Sequence, residues 1–203
     1  MPNNPDLMMA NSLMLQALVA IEEVMGKKGL DAVLRASGLA KYIDNLPEDN
    51  LEPAISYSDY ARLNQAIEDF YGRGGRGFLK RIGRNSFQYG IKEQSALMGI
   101  AGVALKLMPK KQRLKFILNG MGNALRKINP DTEFWVDDRD GKVAYCIREC
   151  SICAGRTQEK PAGHLLIGSI SEAAKWATGE NMRVNETMCM AKGDPYGRFE
   201  VEE

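Results

Sequence analysis

Cysteine is missing from the first 145 of the 203 residues, and histidine occurs once, at His164. A lone imidazole rules out the paired histidines of an H-E-x-x-H metallopeptidase. No G-x-S-x-G elbow is present either, so the chain's own side chains supply no set of nucleophile, base and orienter. The reading therefore leans away from an enzyme. Long apolar runs are missing too: no window approaches the ~20 uninterrupted apolar residues of a membrane-spanning helix. The opening MPNNPDLMMANSLM carries Asp6 and no basic stretch, which is not the pattern of a secretory signal. Cytoplasm is the expected location. In that reducing compartment, four cysteines read as thiols or metal ligands rather than disulfides.

Acidic residues are scarce in one segment. Between residues 73 and 127, thirteen Lys and Arg stand against a single acid, Glu93, while acidic flanks bring the whole chain to a net charge of +1. A block this polarised fits an anionic partner, or packing across the acidic flanks of its own fold or of a second copy in a homodimer. A hydrophobic share of 44% with 26% charged residues is that of a soluble globular protein. The length is enough to bury one substantial core.

What is present reads as helices first and strands later. Asn11 or Ser12 is placed as the cap of a first helix with an apolar stripe of Leu13, Leu15, Leu18, Val19, Ile21 and Val24, ending near Gly26 or Gly29. Leu30 to Ser37 reads as a second helix closed by Gly38, and Tyr42 to Ser56 as a polar connection with two prolines. Residues 1–57 are thus taken as an N-terminal helical extension and 58–203 as a ligand-binding domain. Ser58 or Asp59 is expected to cap the third helix, on which Tyr60, Leu63, Ile67 and Phe70 keep helical spacing. The glycines between Tyr71 and Ile91 follow a helix rather than a strand, and no lysine–serine pair comes after them. A nucleotide loop is set aside in favour of a helix-to-helix corner. Gly83 and Gly90 fall inside the next helix, where each costs about 1 kcal/mol relative to alanine; such positions mark close helix approach or room beside a ligand. That helix is expected to run on through Leu97, Ile100, Ala101 and Ala104 to Met108. A basic amphipathic helix with Leu114, Ile117, Leu118, Met121, Leu125 and Ile128 on its apolar face comes next.

Beyond Asn129-Pro130 the period changes to two. Thr132–Val136 and Lys142–Glu149 read as strands about the turn Asp137–Gly141, His164–Thr178 as a helix stopped by Gly179, and Met182–Met188 and Arg198–Val201 as final strands. The class is α+β, with N-terminal helices packed on a mostly antiparallel C-terminal sheet.

Cys146, Cys150 and Cys153 have C-x3-C-x2-C spacing, with Cys189 far downstream. In an extended strand the first two would stand about 13 Å apart at ~3.3 Å per residue, and one ion with sulfur bonds of ~2.3 Å cannot bridge that distance. Cys146 is therefore assigned to packing. Cys150 and Cys153 read as a metal knuckle at the strand end, with Cys189 as the best further ligand, Glu186 next and His164 after it. Zinc is the preferred ion, ahead of an iron–sulfur cluster or haem. Unligated, partly buried thiols are the alternative.

The run from Cys150 to Val201 resembles the 4-vinyl reductase domain family, whose pattern has C-P-x-C-x-G, a P-x-C-H element opening a helix, and an E-T-x-C-x-A-x-G-D-x-x-C-x-F ending. GRGFLKRIGRNSFQYG, Gly75 to Gly90, is similar to the family's central helical segment. The resemblance implies an α+β fold shared with transport-particle subunits and, more loosely, with nitric-oxide-sensing haem domains. It also implies a zinc held by the P-x-C-H cysteine, the Glu and Cys of E-T-x-C, and the final cysteine. Glu186 and Cys189 match. Gly163 and Gly197 stand where the other two cysteines belong, and Ser151 replaces the proline, so the family form of the site is broken. A rearranged set of Cys150, Cys153, Cys189 and Glu186 takes its place.

The preferred function is a binding module for a small apolar, aromatic or tetrapyrrole-like ligand. Phe87, Tyr89, Trp135, His164, Trp176 and Phe199 are its candidate lining. One alternative is an enzyme or accessory subunit of (bacterio)chlorophyll and tetrapyrrole metabolism, with the basic block meeting propionates. The other is a dimeric interaction scaffold.

Overall fold

The structure, a computed structural model, describes residues 4–93, 105 and 107–202, without the side chains of Arg73 and Glu93. The chain begins with a short strand, β1 (Met8–Ala10), and helix α1 (Asn11–Ala36), which kinks where Gly26 takes φ 72°. Only glycine adopts that backbone at little cost. Neither Asn11 nor Ser12 acts as the expected cap. Ala10 holds the cap position, and the amides of Asn11 and Ser12 donate to the carbonyls of Glu52 and Asn50 at 3.0 Å each. The polar connection thus caps the helix with its own backbone. It also contains a strand the period did not show, β2 (Pro53–Ser56), paired antiparallel with β1 through Met9 and Ile55.

Helix α2 (Tyr57–Tyr71) is capped by Ser56, whose hydroxyl accepts from the Asp59 amide at 3.1 Å, two residues earlier than expected. Gly72 (φ 52°) makes the corner into α3 (Arg73–Glu93). The expected continuation through Leu97, Ile100, Ala101 and Ala104 lies outside the described residues. Helix α4 (Lys110–Ile128) buries Leu114, Ile117 and Leu118. Part of the basic block meets the chain's own acids here: Lys110 pairs with Glu180, and Lys111 and Lys115 with Asp138.

The hairpin β3 (Glu133–Asp137) and β4 (Val143–Arg148), helix α5 (His164–Thr178) closed by left-handed Gly179, and strands β5 (Arg183–Met188) and β6 (Gly197–Glu202) follow the expected order. The sheet is antiparallel throughout, ordered β3-β4-β6-β5. Val143, Tyr145 and Ile147 point with Phe199 and Val201 into the core shared with the helices. Cys146 lies on the opposite face, opposite Trp135 and Arg198 in the register. It is fully buried beneath the Arg198 guanidinium, which binds Asp137, Asp140 and Glu200 at 2.7, 2.6 and 3.1 Å. The packing role assigned to Cys146 fits that position.

Helices α3 and α5 touch backbone to backbone. A methyl group on Gly83 would overlap the Leu165 carbonyl, and one on Gly168 would overlap the Lys80 carbonyl. The Ser169 hydroxyl seals the crossing by donating to the Gly83 carbonyl at 2.9 Å.

Candidate metal centre and ligand cavity

Strand β4 ends at Arg148, and Glu149, with a φ of 53°, turns the chain into the loop Cys150–Gly155. The Cys153 amide donates back to the Cys150 carbonyl at 3.0 Å, which folds the x2 spacing into a tight turn. Arg156 anchors the loop to α2, its guanidinium reaching the Ile152 carbonyl at 3.3 Å and Glu68 at 3.0 Å. From the other side, the register irregularity between Glu186 and Met188 closes β5 and delivers Glu186 and Cys189 to the same point. Ligand atoms of Cys153, Glu186 and Cys189 all lie within 4.8 Å of one another.

The two sulfurs are 3.8 Å apart. Two thiolates on one tetrahedral ion, with bonds of ~2.3 Å, stand about 3.8 Å apart. Glu186 Oε2 accepts from the Gly163 amide at 2.7 Å, while Oε1 is buried with no partner among the described residues. Burial and the neighbouring Cys189 thiol raise this carboxyl to about 9. The thiols are pushed up as well: Cys189 by its contact with Cys153 and by burial, Cys153 first by its contact with Cys150. Three acidic groups held protonated around an orphaned oxygen are what a divalent cation displacing the protons would resolve. The Ala162 amide points at Cys189 Sγ from 3.4 Å. With Gly163 it forms the N-terminal approach to α5, whose dipole favours anionic donors.

The glycines in place of the family's cysteines have a geometric meaning. A Cβ on Gly163 would sit 2.9 Å from Glu186 Oε1 but 2.6 Å from the Phe199 ring. That position abuts the cluster with no room for a side chain. The sulfur that stands beside Cys189 and Glu186 is that of Cys153.

Beside this cluster lies a cavity of about 290 Å³ between α3, α4 and the inner face of the sheet. Phe87, Gly90 and Ile91 of α3, Phe116, Ile117, Gly120 and Met121 of α4, Leu165 and Leu166 of α5, and Tyr145 and Ile147 of β4 line it. Cys150, Ser151 and Ile152 complete the wall, so the cavity and the three-residue cluster share one loop. Among the described residues, none of the lining carries a formal charge.

The sequence-expected site residues distribute unevenly. Cys153, Glu186 and Cys189 converge, while Cys150 sits beside Cys153 in the cavity wall. Phe87 lines the cavity. Tyr89 donates to Glu23, Trp135 meets Tyr196 edge-on on the outer face, Trp176 is at the surface, and Phe199 is fully buried against Gly163. His164 has both ring nitrogens buried and without a partner among the described residues. Burial, with Arg76, Lys80 and Arg156 nearby, lowers its pKa to about 4. It is neither in the three-residue cluster nor in the cavity lining. Tyr60 and Tyr145, which do line the cavity, were not singled out from the sequence. Their helical and strand spacing is that of ordinary core aromatics.

Comparison with known proteins agrees in two ways. The 4-vinyl reductase domain model matches residues 143–203, so the resemblance to that family holds over this segment. Solved H-NOX structures share the fold over nearly the whole chain. The Fe(II) unliganded H-NOX protein from K. algicida is 13% identical with a TM-score of 0.61, covering 96% of each chain. The H-NOX protein from S. oneidensis in the Fe(II)NO ligation state is 12% identical with a TM-score of 0.55, covering 93% of this chain and 97% of its own. No curated protein matches the sequence.

Proposed function

We propose that the chain is a small-molecule-binding module whose cavity takes a neutral, mainly apolar ligand, with a structural zinc ion held beside it by Cys153, Glu186 and Cys189. The observation that carries this reading is the shared loop: Cys150–Ile152 form cavity wall, and Cys153, the next residue, supplies a sulfur to the cluster. A lining without charge among the described residues favours a ligand without charge, because a buried unpaired ion is heavily penalised. Two thiols at the S···S spacing of a tetrahedral ion, with a carboxyl oxygen within 4.8 Å, suit zinc. The ion would neutralise three buried acids and fix the loop; further chemistry is not required of it. The H-NOX neighbours, one of them in an Fe(II)NO state, support the fold as a host for a small ligand. The one histidine lies outside the cavity lining, so no imidazole is offered to a haem iron there.

Thermal shift and calorimetry with naphthalene and indole test the cavity. Gly120 lines it, and a Cβ there meets nothing within 4 Å. The wild-type protein should gain stability with either probe. Gly120→Leu should fold at least as stably, since glycine inside a helix costs about 1 kcal/mol, and lose the response. Absence of any response in the wild-type protein would overturn the reading.

A further inference from the structure

Two tyrosines belong to a mostly apolar cavity wall, whose other polar side chains include Gln16, Ser86, Ser151 and Ser169. Tyr60 of α2 and Tyr145 of β4 both line the cavity, and their residues are 4% and 1% exposed. Among the described residues neither hydroxyl has a hydrogen-bond partner, although Tyr57, three residues before Tyr60, pairs its hydroxyl with Thr132 at 2.9 Å. The rings themselves are held in place. Tyr145 stacks with Phe134, their centroids 6.1 Å apart, and Tyr60 is fixed in the first turns of α2. Cys150 lines the same cavity as both tyrosines. Burial raises both phenols above their ordinary range, so each remains a protonated donor across the physiological range.

Buried hydroxyls without partners are costly, and native proteins pair them with protein groups, water or ligand. Here the remaining candidate partner is whatever occupies the cavity. A carboxylate would satisfy the donors, but among the described residues the lining offers no cation to balance its charge. A ligand group that only donates, such as an ammonium or pyrrole N–H, would leave the phenolic protons unused. A carbonyl oxygen has two lone pairs, no charge and no proton of its own, and so complements two donors.

We propose that Tyr60 and Tyr145 form the polar end of the cavity and select apolar ligands that carry a carbonyl oxygen, which accepts from these hydroxyls. This rests on the cavity being a ligand site, and deepens that reading by naming the ligand class and the residues that choose it. A hydrocarbon of the same shape would strip water from both hydroxyls and return nothing to them.

The test uses acetophenone and isopropenylbenzene, which differ by C=O against C=CH2 at nearly constant shape. Calorimetry on the full chain should show acetophenone binding about tenfold more tightly, or better, in the wild-type protein. Tyr60→Phe and Tyr145→Phe should each narrow the preference and the double variant should erase it. Isopropenylbenzene should bind all variants as well as or better than the wild-type protein, which shows that the cavity survives the substitutions. Equal affinities in the wild-type protein, or a preference that persists in the double variant, would overturn the carbonyl assignment while leaving the cavity intact. Failure of both probes to bind the wild-type protein would overturn the underlying cavity reading as well.

Discussion

Cys153 and Cys189 bring their sulfurs to 3.8 Å across 36 residues of sequence. One arrives from the loop after β4 and the other from the end of β5, and Glu186 stands beside them with an oxygen that has no partner among the described residues. If an ion is the missing partner, Cys153→Ser, Cys189→Ser and Glu186→Gln should each bind less than a tenth of the zinc held by the wild-type protein. Cys146→Ser should keep full stoichiometry, since its sulfur lies on the other face under Arg198. Elemental analysis of protein purified with zinc present gives the answer, and equal loss from all four variants would refute the assignment.

The crossing of α3 and α5 tolerates no Cβ. Gly83→Ala and Gly168→Ala should each destabilise the protein by roughly 1–3 kcal/mol, because backbone atoms rather than flexible side chains must give way. Gly77, on the same α3 but with open space around its Cβ, provides the control. Its substitution by alanine should stabilise by about 0.5–1 kcal/mol through helix propensity. Denaturant unfolding distinguishes the two outcomes by sign.

His164 makes stability depend on pH in a defined window. Its folded pKa is lowered from 6.5 to about 4 by burial and by Arg76, Lys80 and Arg156. Between these values the unfolded chain binds a proton that the folded chain refuses, so stability rises with pH across the window. Acidification from about 6.5 toward 4 should therefore cost stability at up to ~1.4 kcal/mol per pH unit. His164→Gln should flatten that slope in urea melts, and an unchanged slope would show that other groups carry it.

Occupancy of the cavity should be visible at the metal. Cys150, Ser151 and Ile152 line the one while Cys153 belongs to the other, so a ligand that orders the loop opposes its opening. At about ten times its dissociation constant, a cavity ligand such as acetophenone stabilises the bound state by ~1.4 kcal/mol. Extraction of zinc by a chelator should slow several-fold under those conditions. Stopped-flow measurement with a chromogenic chelator reads this directly.

Much of this arrangement is legible in the sequence where one local rule dominates. The left-handed Gly179 ends α5 at the residue the pattern indicates, and the period-two run through Val143, Tyr145 and Ile147 separates Cys146 from the other thiols. Gly83 and Gly90 announce themselves by their cost inside a helix. The structure gives the first a close crossing and the second a place in the cavity wall. Features set by distant contacts are not legible. Strands β1 and β2 are three and four residues long, too short to show a period. The cap of α1 is a pair of carbonyls from Asn50 and Glu52, which leaves no signature in residue type. Trp135 faces Cys146 rather than the core because of hairpin register, and a shift of one residue would have reversed it. Tyr60 and Tyr145 escape notice because nothing in residue order marks a hydroxyl that lacks a partner.

Gly90 and Gly120 stand on two different helices at the wall of one chamber, each with vacant space where a side chain would begin. The bore can therefore be narrowed from either side by single methyl steps, and each step favours the helix that carries it. Ligand size and fold stability are uncoupled at these two positions. A family of receptors graded by molecular width could be drawn from this scaffold without repacking its interior.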